Sequence, residues 1–158
     1  MRFLEALAKL CAILAGVLLT FITLMTCASL IGRNTTGTTL VGDFELTGVA
    51  TGAAIALFLP WAQATRANII VDFFTARAGT GTTRTLDRFG ALLLAIAMAL
   101  LTWRTSVGGL NAWETGSGTM MLGFPEWMVY AVMVPSIALT AVIGLVQAVQ
   151  GFGPEDRP

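Results

Sequence analysis

The chain has no histidine among its 158 residues, and only 11% of them are charged. Without histidine it lacks the commonest acid–base group near neutral pH and the commonest metal ligand. A soluble domain carries about 25% charged residues, so this chain has too few charges to cover a water-facing surface of its size. The formal net charge is +0, which argues against a nucleic-acid partner.

Cysteine is also scarce, with Cys11 and Cys27 as its two representatives. If both lie on one helix, they are roughly 24 Å apart at a rise of 1.5 Å per residue. A disulfide requires Cα atoms within about 7 Å, so the two cannot pair and we expect them to be apolar filler. The sequence also shows no phosphate-binding loop, metal-ligand cluster or nucleophile–base set. We therefore predict no catalytic, metal, substrate-binding or cofactor site, and no enzymatic activity.

What the sequence has in abundance is apolar residues, in four windows without any charge: 10–32, 46–65, 89–103 and 127–153. A membrane-spanning helix requires about 20 mostly apolar residues. The windows therefore predict an all-α integral membrane four-helix bundle, a single membrane domain over residues 1–158, with helices at about 8–31, 45–64, 86–107 and 126–150. The first window exceeds the roughly 7–15 apolar residues of a signal peptide, so we expect an uncleaved helix.

The distribution of basic residues predicts the orientation of these helices. With the N-terminus inside, seven basic residues fall on the inner side: Arg2, Lys9, Arg66, Arg77, Arg84, Arg88 and Arg157. The outer side holds Arg33 and Arg104. Since cytoplasmic connections are enriched in Lys and Arg, we expect both termini to be cytoplasmic.

Between the second and third windows, residues 68–78 form a short amphipathic segment. Its apolar residues recur at helical spacings of three and four, as in Ile69, Ile70, Phe73 and Phe74. Such a segment can lie in the membrane interface, with Phe73 and Phe74 among acyl chains. The neighbouring basic residues are then expected at lipid headgroups: Arg66, Arg77, Arg84 and Arg88. The alternative is an ordinary basic loop that only sets the topology.

Small residues recur every four positions on the predicted helices, where they allow close approach of another helix. The stripes on helices two and four are candidate partner interfaces: Gly48, Gly52 and Ala56, and Ser136, Thr140 and Gly144. Asp43 and Glu45 begin helix two. Their carboxylates either contact a partner protein or simply favour the positive end of the helix dipole.

The predicted spans hold no ionisable residue near mid-membrane, although transporters usually place such residues there. A rival hypothesis is a self-contained homo-oligomeric transporter or channel. Its pathway would be lined by Thr20, Thr23, Thr47, Thr51 and Gln63. Threonine hydroxyls in helices more often bond to their own backbone, which weakens this alternative.

Four stretches occur in this order along the chain: GDFEL at 42–46, RANIIVDFF at 66–74, the stretch 84–87, and LGFPEWMVY at 122–130, followed by Pro135. Together they resemble the small membrane subunit, the Q-type small permease, of tripartite ATP-independent periplasmic (TRAP) transporters. The resemblance extends from about residue 5 to 150. The chain departs from the family at Asn68, where the family often has histidine, so a proton-handling role at this position is not expected.

The resemblance implies a division of labour among three proteins. A periplasmic substrate-binding protein captures a small organic acid, a large multi-span subunit carries it with sodium, and the small subunit is a four-helix scaffold bound to the large one. The implied location is the cytoplasmic (inner) membrane of a bacterium or archaeon. The implied partners are the large subunit, membrane lipids and, indirectly or transiently, the binding protein.

Overall fold

A computed structural model describes residues 2–65 and 80–150 of the chain, which form four helices. These are α1 (Arg2–Thr36), α2 (Asp43–Ala64), α3 (Thr80–Thr115) and α4 (Trp127–Gln150). Each is long and apolar enough to cross a membrane, and within the described ranges β-pairing is limited to one isolated bridge between Gly118 and Pro125. The predicted all-α four-helix membrane bundle is confirmed. The predicted interfacial segment 68–78 lies outside the described residues.

The first and third helices are longer than the apolar windows predict. With 35 and 36 residues, α1 and α3 measure about 52 and 54 Å, against a hydrocarbon core of about 30 Å. Each is followed by a glycine with a left-handed backbone, Gly37 (φ 72°) and Gly116 (φ 63°). Such a glycine commonly terminates a helix, so these helices end at a backbone signal and not at the membrane boundary.

The four helices pack in the order α1–α2–α4–α3. The main contacts join α1 to α2, α2 to α4 and α4 to α3, while α1 barely touches α4. Across the described ranges α3 contacts neither α1 nor α2. The chain is thus built from an α1–α2 hairpin and an α3–α4 hairpin, and α2 and α4 join them.

The first hairpin packs through a regular seam. The buried residues of α1 are Ala8, Ala15, Ile22 and Ser29, which recur every seven positions. A seven-residue repeat keeps one face of a helix against its neighbour in a left-handed supercoil. Small residues at this seam let the α1 backbone approach α2 closely.

The second hairpin also packs through small residues. A Cβ atom at Gly144 of α4 would lie 3.4 Å from the carbonyl oxygen of Ala91 and from the Cβ of Ala95, both on α3. Nearer the C-terminal end of α3, Tyr130 of α4 covers Gly109, where an added Cβ would lie 2.8 Å from the Cβ of Tyr130. The two helices are therefore in close contact along much of their length.

The two interhelical loops lie at the same end of the molecule, which we call the loop end. The side chain of Leu122, from the α3–α4 loop, fills the space beside Gly42 in the α1–α2 loop. At the opposite end, which we call the termini end, Leu4 and Glu5 of α1 line a small pocket together with Gln147 near the end of α4. This arrangement places the N-terminus of α1 and the C-terminus of α4 at one end, as the four-helix prediction requires.

Candidate functional site

Glu45 joins the two hairpins at the loop end. Its carboxylate oxygens accept hydrogen bonds from the backbone N–H of Met121 (2.8 Å) and of Leu122 (3.1 Å), in the α3–α4 loop. Hydrogen bonds to an ionised acceptor are roughly twice as strong as those between neutral groups. The first turn of α2 therefore holds the tip of the loop that precedes α4.

Asp43 fastens the same turn of α2 to α1. The hydroxyl of Ser29, a buried residue of α1, donates to the Asp43 carboxylate. The other carboxylate oxygen accepts from the backbone N–H of Phe44 at 2.7 Å. Gly42, which precedes α2, has a φ of 78° and provides no side-chain cap. Asp43 thus satisfies a donor at the helix start and ties α2 to its neighbour.

The α3–α4 loop has a defined internal structure, which presents its backbone to Glu45. Within it, the N–H of Thr119 donates to the carbonyl of Phe124 at 3.0 Å, and the N–H of Glu126 donates to the carbonyl of Ser117 at 3.1 Å. The left-handed backbone of Gly123 (φ 62°) makes the turn. The motif LGFPEWMVY at 122–130 therefore covers the last part of this loop and the start of α4.

At the termini end the hairpins are joined by two buried glutamines. The side-chain amide of Gln63 on α2 donates to the side-chain carbonyl of Gln147 on α4 at 2.7 Å. The amide of Gln147 donates to the backbone carbonyl of Gln63 at 3.0 Å. From Glu45 to Gln63 is 18 residues, or about 27 Å along α2, so the polar links lie close to the two edges of a hydrocarbon core of about 30 Å.

The predicted partner stripe on α2 divides into a free part and a packed part. Gly48 is exposed and Gly52 is half-buried. A Cβ added at either of them would meet nothing within 4 Å. Ala56 is buried, with 2% exposure. The two glycines thus leave room for another helix beside α2, and contact with a partner there stays a prediction.

The stripe on α4 lies inside the chain. Ser136 and Thr140 are 3% and 2% exposed, and their hydroxyls donate to backbone carbonyls one turn earlier on α4. Gly144 lies against α3. These three residues are already used for packing within the chain, so their role at a partner interface also stays a prediction.

The predicted headgroup residues fall mostly beyond the described part of the chain. Arg66, Phe73, Phe74 and Arg77 lie outside it, and Arg84 lies in the first turns of α3. Arg88, one turn later, is exposed on α3. Contact of Arg88 with lipid headgroups at the termini end stays a prediction.

In the described part of the chain, the buried side chains with polar groups are all neutral: Ser29, Gln63, Ser136, Thr140 and Gln147. No group of His, Cys, Asp or Glu there could hold a metal ion. This arrangement offers hydrogen bonding between helices but no buried charge for ion binding or proton transfer.

The two polar links were not predicted from the sequence. Gln63 appeared as a candidate pathway residue and Glu45 as a contact for a partner, although both bond within the chain. In the sequence, Gln63 and Gln147 each lie near the inner end of a predicted membrane span. These positions predict that the two side chains lie at a similar depth in the membrane, but they do not predict that the two bond to each other.

Comparison with known proteins agrees with this architecture. Residues 22–153 match the family model described as "Tripartite ATP-independent periplasmic transporters, DctQ component". Searches of the curated proteins and of the solved structures found no match. The matched region includes the last part of α1, all of α2, α3 and α4, and both polar links between the hairpins. This four-helix membrane chain therefore belongs to the DctQ family, the small permease component of the TRAP transporters.

Proposed function

We propose that the chain is a scaffold that supports and orients the large multi-span subunit of a TRAP transporter. The complex would take up a small organic acid, delivered by a periplasmic binding protein, together with sodium through the inner membrane of a bacterium or archaeon. The scaffold subunit itself would bind neither substrate nor sodium and would catalyse no reaction. Its contact with the binding protein would be indirect or transient.

The observation that carries this proposal is the absence of a buried ionisable side chain within residues 2–65 and 85–150. Ionisable residues inside membrane proteins commonly mark ion pathways and proton relays. Here the polar groups between the helices bond to each other and to backbone. Such bonds suit a rigid support better than a carrier that must release an ion.

The free face of α2 is the surface we propose for the large subunit. Gly48 and Gly52 leave open space beside the helix, and the exposed Phe44 and Ile55 lie near them on α2. Close helix contact in membranes depends on small residues, because lipid tails are as apolar as leucine. At the two glycines, a partner helix can therefore make closer contact with α2 than lipid tails can.

Copurification tests this assignment. The full chain, extracted in mild detergent with the proteins encoded beside it, should retain a large multi-span protein. Replacing Gly48→Leu and Gly52→Leu should reduce the retained amount. Gly90→Leu is the matched control, because Gly90 is also a helical glycine with nothing near its missing side chain. Equal loss in both variants would argue against the α2 face, and no retained protein in the wild type would argue against the scaffold.

The rival function is a homo-oligomeric transporter or channel. The hydrogen bonds of its candidate pathway residues disfavour it. The hydroxyls of Thr20, Thr23 and Thr47 donate to the carbonyls four residues earlier on their own helices, at 2.7–2.8 Å. Hydroxyls satisfied in this way contribute little to a polar pathway. Thr51→Val should leave the sodium dependence of uptake unchanged in an assembled complex. A shifted sodium dependence would favour the rival.

A further inference from the structure

Arg104 is a charged residue on a helix that is long and apolar enough to span the membrane. It lies on α3, within the candidate span Thr85–Thr115. Its side chain is exposed, and no hydrogen bond or ion pair joins its guanidinium to another residue in the described ranges. Arginine has five N–H donors and stays charged in proteins, so acceptors for these donors have to come from outside the described chain.

The contact between α3 and α4 gives the depth of Arg104 in the membrane. The two helices are antiparallel, and Gly109 of α3 faces Tyr130 of α4. Five residues from this contact along each helix are Arg104 and Pro135, which therefore lie at about the same level. Pro135 is eight residues from Trp127, where α4 begins, or about 12 Å at 1.5 Å per residue. Arg104 is thus level with the apolar span of α4, in the half nearer the loop end.

The acids in the described part of the chain are not placed to neutralise this charge. They are Glu5, Asp43, Glu45, Asp87, Glu114 and Glu126. Asp43, Glu45 and Glu126, at the loop end, already accept hydrogen bonds within the chain. On α3 itself, Glu114 is ten residues from Arg104, or about 15 Å along the axis, and Asp87 is seventeen residues away, or about 26 Å. Glu5 lies at the termini end.

A lipid headgroup is a poor partner for Arg104 because of the direction of α3. Side chains of an α-helix lean toward its N-terminus, and the N-terminus of α3 is at the termini end. This lean directs Arg104 toward the middle of the membrane and away from the nearer headgroups, which are at the loop end. To reach a phosphate there, the side chain would have to turn back toward the C-terminus of its own helix.

Arg104 also faces away from the rest of its own bundle. Ala95 and Gly109 are residues of α3 that face α4. At about 100° per residue they lie about 180° and 140° round the helix from Arg104. Charged residues within membrane spans almost always face the interior of a bundle or a water-filled cavity, where they pair. An arginine that faces outward from this chain therefore has the position expected of a residue that faces the interior of a larger assembly.

We propose that Arg104 pairs with a carboxylate on a spanning helix of the large subunit, at the depth of Pro135. A guanidinium and a carboxylate can form two parallel hydrogen bonds, which lipid tails cannot supply. This contact is separate from the α2 face with Gly48 and Gly52. The inference rests on the proposed scaffold function, because it takes the large subunit as the partner.

Copurification with the proteins encoded beside the chain tests the pairing. Arg104→Leu should lower the retained amount of the large subunit by about tenfold or more, because removing one partner of a buried charge pair leaves the other charge unpaired. Arg104→Lys keeps the charge and should recover part of the loss. Arg33→Leu is the matched control, since Arg33 is an exposed arginine in the last turn of α1, and it should retain the wild-type amount.

Thermal unfolding of the isolated chain in detergent separates this pairing from a role within the fold. Arg104→Leu should unfold at or above the wild-type temperature, because the substitution breaks no bond inside the chain. Unchanged unfolding together with reduced retention supports the pairing. A large drop in the unfolding temperature would place the partner of Arg104 inside the chain and overturn the proposal.

Charge exchange identifies the carboxylate. Arg104→Glu should also lower retention, and each Asp or Glu in the spanning segments of the large subunit is replaced in turn by Arg in that background. One exchanged pair should restore retention, and failure of every pair would overturn the proposal. Equal retention by the wild type and Arg104→Leu overturns this inference alone. If the wild type retains no large subunit, the scaffold function fails together with it.

Discussion

Gly109 shows how a single missing side chain determines a helix contact. The ring and Cβ of Tyr130 lie directly over it, and an added Cβ would come within 2.8 Å of the Tyr130 Cβ. That atom is close to the α4 backbone and cannot swing aside. The pairing of Gly109 with Tyr130 therefore brings α3 and α4 close together near the loop end.

Gly109→Ala should destabilise the α3–α4 hairpin by about 1–3 kcal/mol, the usual cost of overpacking. Thermal unfolding in detergent, followed by helix content, measures the effect. Gly90→Ala is the control on the same helix, where an added Cβ meets nothing within 4 Å. If both variants unfold at the wild-type temperature, Tyr130 does not constrain the distance between these helices.

Glu45 is the second residue with a single, identifiable task. Its carboxylate accepts from two consecutive backbone N–H groups of the α3–α4 loop. Glu45→Gln removes the charge and one acceptor oxygen, so the amides of Met121 and Leu122 should exchange with deuterium faster. Glu114→Gln, an exposed carboxylate on α3, should leave both exchange rates unchanged. Unaltered exchange in Glu45→Gln would show that the loop holds its shape without this link.

Among the contacts between helices, the hydrogen-bonded pair Gln63 and Gln147 joins α2 to α4 at the termini end. Gln63→Leu leaves the buried carbonyl oxygen of Gln147 without this donor. An unsatisfied buried polar group costs about 1–3 kcal/mol, whereas replacing both partners with apolar groups can be nearly neutral. We therefore expect both the wild type and the double leucine variant to be more stable than Gln63→Leu.

A double-mutant cycle measures this pair. Each single variant leaves one partner unsatisfied and the double variant is expected to be nearly neutral, so the unfolding free energies of the wild type, Gln63→Leu, Gln147→Leu and the double variant should give an interaction energy of about 2–3 kcal/mol. Gln150→Leu, an exposed glutamine on α4, should have little effect. An interaction energy of zero would mean that the two glutamines only occupy space.

The sequence was sufficient to predict the number and class of the elements, because charge-free apolar windows of this length are typical of membrane-spanning helices. The predicted bounds of α2 and α4 lie within two residues of those observed. The predicted helices at 8–31 and 86–107 are too short at both ends compared with α1 and α3, since hydropathy marks the residues inside the membrane and not the full length of a helix. Gly37 and Gly116 held the missing information, because glycine is favoured just beyond a helix end. The pairing of Glu45 with a loop 76 residues away depends on tertiary packing, which no local pattern encodes.

For the whole molecule, the basic residues predict which end faces the cytoplasm. Their seven-to-two distribution places the termini end there, and the exposed Arg88 lies at that end. A cytoplasmic reporter fused after Pro158 should be active. A periplasmic reporter inserted at the exposed Thr38 or Met120 should be active as well. A cytoplasmic signal from either loop insertion would reverse the orientation.

The order α1–α2–α4–α3 has a consequence for how the polypeptide can be divided. Each half of the chain forms a complete hairpin, and within the described residues the halves meet mainly along α2 and α4, with a smaller contact at the loop end. Two genes, one ending and the other starting within residues 66–79, should therefore yield fragments that insert separately and reassociate in the membrane. The Gln63–Gln147 and Glu45 links would then join two molecules instead of two parts of one. Recovery of both fragments through a tag on either one measures this reassembly, and the Gln63→Leu substitution should reduce it.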